Sequence, residues 1–149
     1  MPVKARLLEQ CKIFVKDKLN LIETVINANR KALDQESKSS AGDKHETGRA
    51  MLHLEMEKAS QQFKAAQQMK ETLDRIEIQH ISGKVKLGSM VITDQGTYFI
   101  AISTGQIAID DKQYYAISPA SPIGQLLMGK EQGEAINFGS RTIQIESIE

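Results

Sequence analysis

Between residues 5 and 76 this chain has no proline, and its only glycines there are Gly42 and Gly48. Proline and glycine are the residues that interrupt helices, and Glu, Lys, Gln, Ala and Leu, which dominate here, are strong helix formers. The stretch is therefore restricted to long helices. Its apolar residues say how those helices pack. Leu8, Val15 and Ile22 recur every seven residues, and Leu19, Ile26 and Leu33 form a second series four positions later. Together they make one a/d seam, interrupted by Lys12 and Asn29. A second stripe runs through Leu52, Met56, Ala59, Phe63, Ala66, Met69, Leu73 and Ile76 at spacings of three and four. Neither stripe is wide enough for a helix buried all round. Pairing the two across a short polar connection predicts an antiparallel hairpin with arms of roughly 45–50 Å, at 1.5 Å per residue.

After residue 80 the composition changes. Eight of the ten glycines and two of the three prolines lie there, among Ile, Val, Thr and Tyr. That is a strand-and-turn vocabulary. The expected organisation is a coiled-coil hairpin over residues 1–80, with its tip near 40–47, and a small, mostly antiparallel β domain over 81–149, giving an α+β chain. Residues 85–93 read as a strand and Asp94-Gln95-Gly96 as a turn. Tyr98, Ile100 and Ile102 alternate in a second strand that Gly105 breaks. Ile107 and Ile109 lie in a third, Asp110-Asp111-Lys112 is a turn, and 114–117 a fourth strand. Ser121 reads as an N-cap, Pro122 as the first residue of a short helix, and Gly129 as its C′ residue. Residues 135–138 and 142–148 form a closing hairpin around Gly139-Ser140.

The charge balance narrows the function classes. Nineteen basic and nineteen acidic residues give a formal net charge of zero, so no overall field draws the chain to nucleic acid or an anionic membrane. One cysteine, Cys11, rules out an internal disulfide. No apolar run reaches the length of a bilayer span, and Met1-Pro2-Val3-Lys4 leads into charged sequence without a secretory h-region, so the cytoplasm is the expected location. No catalytic constellation is legible. Cys11 lies among apolar helix positions with no histidine near it, as a small core residue would. His45, His53 and His80 are isolated. Lys12, Lys16, Lys18, Arg30, Lys31 and Lys38 alternate with acids, as on a solvated face, and Tyr98, Tyr114 and Tyr115 are expected to pack in the sheet.

The segment most open to a functional reading is Ser40-Ala41-Gly42-Asp43-Lys44-His45-Glu46-Thr47, where one stripe ends and the next begins. Asp43 and Glu46 have capping-box spacing, and negative charge suits a helix start. The same pair would stand at the far end of a long helical rod. Two stretches then carry a family resemblance. Gly42-Asp43-Lys44-His45-Glu46 resembles the tip of the Gre (GreA/GreB) family of bacterial transcript-cleavage factors, in which Gly-Asp is followed, after two intervening residues, by Glu. Ile117-Ser118-Pro119-Ala120-Ser121-Pro122-Ile123-Gly124, continuing to Leu127-Met128-Gly129-Lys130, is similar to that family's Ser-x-x-Ser-Pro segment. The resemblance covers nearly the whole chain. It implies an FKBP-like C-terminal domain that docks beside the secondary channel of RNA polymerase, and a coiled coil that passes down the channel toward the RNA 3′ end. It implies no active site, cofactor or small-molecule substrate of the chain's own. Asp43 is the expected carboxylate toward a magnesium ion of the polymerase, Glu46 would orient water or metal, and the polymerase would hydrolyse backtracked RNA. Ser121, Pro122 and Ile123 are the expected polymerase contact. After Glu46 this chain has Thr47-Gly48-Arg49-Ala50 where the family has Asn-Ala-Glu-Tyr. A channel-binding inhibitor without cleavage stimulation keeps the same architecture, and a coiled-coil interaction module unrelated to transcription is the alternative from another class.

Overall fold

The computed structural model describes residues 2–38 and 43–149; for residues 37, 38 and 43–46 it describes the backbone alone. Two long helices, α1 (Val3–Lys38) and α2 (Asp43–Asp74), precede a six-stranded sheet and one short helix, α3 (Pro122–Leu127). The strands are β1 (Met90–Thr93), β2 (Gly96–Ile100), β3 (Gly105–Ile109), β4 (Lys112–Ile117), β5 (Ala135–Phe138) and β6 (Arg141–Ile148). The chain is α+β, as its composition predicts. It divides into two compact units, one of residues 1–14 with 71–149 and one of residues 15–70. The division in packing therefore falls elsewhere in the sequence than the change in composition at residue 80.

The first unit is built on the sheet, in the order β3-β4-β2-β1-β6-β5. All neighbours are antiparallel except β2 and β4, which run parallel because the chain passes out to the edge as β3 before returning as β4. Alternation sorts the side chains onto two faces. One face carries Val91, Tyr98, Ile100, Ile136, Ile143 and Ile145, packed with Ile123 and Leu127 of α3 and with Val85. Tyr98 and Tyr115 stack there, with ring centroids 5.5 Å apart. The other face carries Met90, Phe99, Ile109, Tyr114 and Ala116, all buried. The three tyrosines thus pack in the sheet as expected. Leu7, Leu8 and Cys11 of α1 and Leu73 of α2 are buried in the same unit. The Arg6 guanidinium reaches Asp110 in the β3–β4 turn at 2.6 Å. Buried positions 4, 7, 8 and 11 form a broad helical stripe, the width that suits packing on a layered core rather than in a two-helix seam. Leu8 keeps the seven-residue spacing of the seam but lies in the sheet unit. It belongs to this stripe, and Lys12, the position that broke the pattern, is exposed.

Turn chemistry fixes the strand ends. Asp110 and Asp111 both take positive φ, 50° and 65°, the paired left-handed conformation of a type I′ hairpin turn. The strand expected over 85–93 begins only at Met90. Gly88 sits at φ 91° and the Ser89 N–H donates to the Lys86 carbonyl, so the chain turns before entering the sheet. Val85 is instead held by backbone bonds with Gly129 and Lys130. β2 ends at Ile100, and Ile102 is buried outside any strand. Gly105 opens β3 rather than merely ending the strand before it.

In the second unit the helices run antiparallel. Arg49 donates from Nη2 to the Glu36 carbonyl at 3.4 Å. Further along, Glu23, Ile26, Asn27 and Arg30 line a groove with Met56, Ser60 and Phe63. Rising numbers on α1 meet falling numbers on α2. The fully covered positions are Val15, Ile22 and Asn29 on α1 and Ala59 and Ala66 on α2, each set spaced by seven. Leu19, Ile26, Leu33, Leu52, Met56, Phe63 and Met69 are half-buried beside them. The predicted seam is the observed one through this unit. No described helix is long and apolar enough to cross a membrane.

Candidate functional site

Two places carry the residues singled out by the sequence. The first is the start of α2. Its backbone is helical from Asp43 onward, so Asp43 and Glu46 lie one turn apart in the first turns. Ser40 to Gly42 and the side chains of Asp43 and Glu46 lie outside the described residues, as does the side chain of His45. What surrounds the helix start is described. Gly48 lies beside the Glu36 carboxylate, which a Cβ there would meet at 3.5 Å. Arg49 is tied to the Glu36 carbonyl. Gly48 and Arg49, two of the four positions at which the resemblance fails, thus face Glu36 of α1.

The second place is the turn into α3, and here the motif explains itself. The Ser121 hydroxyl accepts the Gly124 N–H at 3.1 Å, which is the N-cap bond the sequence predicts, and donates to the Ser118 carbonyl at 2.7 Å. The Ser121 N–H donates to the Ser118 hydroxyl at 3.1 Å, and the Ser118 N–H to Ser103 Oγ at 3.0 Å. A Cβ on Gly124 would lie 2.0 Å from the Ser118 carbonyl oxygen, so only glycine allows this approach. Pro122 takes the first helical turn, and Gly129 follows the helix at φ 79°. Ser118, Ser121, Gly124 and Gly129 therefore share one local task, which is to lock a short helix against the sheet. Of the three residues expected to contact a partner, Ile123 is in the core, Ser121 is occupied as the cap, and Pro122 is exposed. Leu126 on the same helix is also exposed.

The remaining candidates resolve simply. Cys11 is fully buried, and burial pushes its thiol up to about 12 despite a hydrogen bond with the Ile102 backbone. A thiol so far from the thiolate form is no nucleophile at neutral pH. His53 is exposed, and His80 accepts a bond at Nδ1 from Lys86. Lys12, Lys16, Lys18, Arg30 and Lys31 lie on the exposed surface of α1. Among the described residues no cluster of three metal-ligating side chains occurs.

Sequence reasoning read one feature only as an interruption of the seam and missed another. Asn29 is buried in the seam with its amide nitrogen lacking a protein partner. Its signal was present, as an amide at a seam position. The second is a groove of about 370 Å³ between α3 and β5, lined by Leu126, Met128, Lys130 and Ile136 among others. A groove made by residues from separate segments leaves no local pattern. The chain matches no protein-family model and no curated protein.

Proposed function

We propose that this chain is a Gre-like transcription elongation factor that binds RNA polymerase through its secondary channel and modulates elongation by aiding cleavage of backtracked RNA. The observation that carries the reading is the coincidence of two features. Asp43 and Glu46 open the second arm of an antiparallel helical pair, beside the contact of Arg49 with Glu36. The Ser-x-x-Ser-Pro-Ile-Gly segment forms a self-locked turn in a sheet unit of a topology compatible with the FKBP-like domain that the resemblance implies. In this reading the protein supplies carboxylates in trans and the polymerase supplies the reaction. A weakly held magnesium ion takes one or two carboxylates and keeps its waters, so Asp43 is suited to raise its occupancy and Glu46 to orient water. The chain itself is not an enzyme, needs no cofactor, and works where the polymerase does, in the cytoplasm. Capture on immobilised purified RNA polymerase tests the partner. Retention that is lost when the secondary channel is blocked supports the reading, and absence of retention overturns it.

The departure at Thr47-Gly48-Arg49 is the observation behind a second reading. Arg49 replaces an acid with a base next to the tip, which reduces negative charge there. A factor that occupies the channel without stimulating cleavage fits that change, and would slow cleavage of backtracked RNA. The buried Asn29 would equally suit a coiled-coil interaction module unrelated to transcription, since a seam amide fixes register and partner number. That module would not bind polymerase at all.

A further inference from the structure

In the helical pair, the residues before and after each seam position fall on opposite sides. Glu23, Asn27, Arg30 and Ser60, which follow Ile22, Ile26, Asn29 and Ala59, line the groove on one side. The residues that precede the seam therefore lie on the other side. On α1 these are Lys18, Leu21, Val25, Ala28 and Ala32. Leu21 is 67% exposed, Val25 is 43% exposed, Ala28 is exposed and Ala32 is half-buried. Their spacings of three and four residues in turn are those of a second coiled-coil stripe, left in solvent.

The charges beside this stripe say what covers it. Asp17 and Lys31, both exposed, flank it on the edge away from α2, two heptads apart, with Thr24 midway. Lay a second copy antiparallel on the stripe with the two Thr24 residues side by side. Each Asp17 then meets Lys31 of the other copy, and Leu21 packs against Val25 in two equivalent layers. The Thr24 hydroxyl is already bonded to the Asn20 carbonyl at 3.0 Å, so the axis carries no unpaired group there. Lys18 falls opposite Ala28 of the other copy, where its methylene stem covers the alanine. A parallel copy would instead set the two Lys18 residues against each other. A shift of one heptad would leave Leu21 and Val25 facing only alanines. On α2 the same side carries Met51, Glu55, Lys58, Gln62 and Ala65. Glu23 and Asn27 share their groove with Ser60 and Phe63, so the axis passes α2 near Gln62. Glu55 and Lys58 are a turn or more away, and neither is set against its own copy.

We propose that two copies of this chain associate antiparallel through α1, with Leu21 against Val25 and Asp17 against Lys31, so that two helical pairs form a four-helix bundle. The face is separate from the seam that buries Asn29, and the proposal does not depend on the polymerase reading.

Sedimentation equilibrium of the full chain tests it without polymerase. The expected result is a reversible equilibrium between monomer and dimer. Leu21→Glu, at an exposed position, should weaken association at least tenfold. Asp17→Lys gives a chain with a base at both positions, and Lys31→Asp gives one with an acid at both. Each variant should associate more weakly than the parent, and an equal mixture of the two about tenfold more tightly than either alone. A chain that stays monomeric up to about 1 mM overturns the proposal. So does a dimer that Leu21→Glu leaves unchanged, or a mixture that associates no more tightly than its components.

Discussion

The Ser118 and Ser121 side chains hold each other's backbone: Ser121 Oγ donates to the Ser118 carbonyl at 2.7 Å, and Ser118 Oγ accepts the Ser121 N–H at 3.1 Å. Ser121→Ala should destabilise the sheet unit by about 1 kcal/mol, the usual worth of an N-cap. Gly124→Ala should cost more, about 3 kcal/mol, because its Cβ meets a backbone oxygen that cannot move aside cheaply. Denaturant unfolding of the two variants checks both the sign and the order.

Asn29 opposes the same kind of economy. Its amide nitrogen is buried without a protein partner, and an unsatisfied buried polar group costs about 1–3 kcal/mol. Asn29→Leu should raise the stability of the helical pair by about that amount. It should also loosen the choice of register and partner number, which is the role of such a residue. Thermal unfolding and sedimentation of the variant read the two effects separately.

Gly48 is helical and has room. A Cβ would meet the Glu36 carboxylate at an ordinary contact distance of 3.5 Å. Gly48→Ala should stabilise α2 by about 0.5–1 kcal/mol through reduced chain entropy. Destabilisation instead would mean that the approach of α2 to Glu36 is closer in solution.

The pair Arg6–Asp110 gives a pH dependence with a definite sign. The guanidinium, through its hydrogen bond and its charge, holds the Asp110 carboxyl below the usual carboxylate range, and both groups are solvent-exposed. The stabilisation is therefore complete above the unfolded-state pKa, about 4, and is lost as pH falls through the lower folded value. Asp110→Asn keeps a residue that accepts the left-handed turn at φ 50° and removes the titration. Acid unfolding of the variant should show a shallower dependence below pH ~4 than the parent.

Cys11 titrates the other way. Its thiol is pushed up to about 12 by burial, so above the unfolded-state pKa, about 8.5, only the unfolded chain loses the proton and stability falls as pH rises. Ellman's reagent should react with Cys11 only as fast as the chain opens, and the rate should rise with added denaturant. Prompt reaction of the folded protein at neutral pH would contradict the burial.

The parts of the fold legible in the sequence are those written in local pattern. The seam through Val15, Ile22, Ala59 and Ala66 follows from period, and the α3 cap from the order Ser-Pro-Ile-Gly. What period alone does not reveal is which layer a stripe faces. Lys4, Leu7, Leu8 and Cys11 continue the apolar face of α1 but are buried in the sheet unit, and the only sign was the wider stripe and the break at Lys12. The start of β1 was obscured because Val85 is apolar yet is held by Gly129 and Lys130 outside the sheet, with Gly88 turning the chain between. The candidate site divides in the same way. Asp43 and Glu46 are legible as a helix start, whereas the groove at Leu126, Lys130 and Ile136 exists only once α3 meets β5.

In the proposed function, Asp43 and Glu46 act on the chemistry of a polymerase active site. The most direct test is the length of the nascent RNA in stalled, backtracked elongation complexes mixed with the protein. RNA should be shortened from its 3′ end at least tenfold faster than without the protein. Asp43→Ala and Glu46→Ala should abolish the effect while still binding polymerase. Unchanged RNA with the parent protein, or equal shortening with Asp43→Ala, would contradict it.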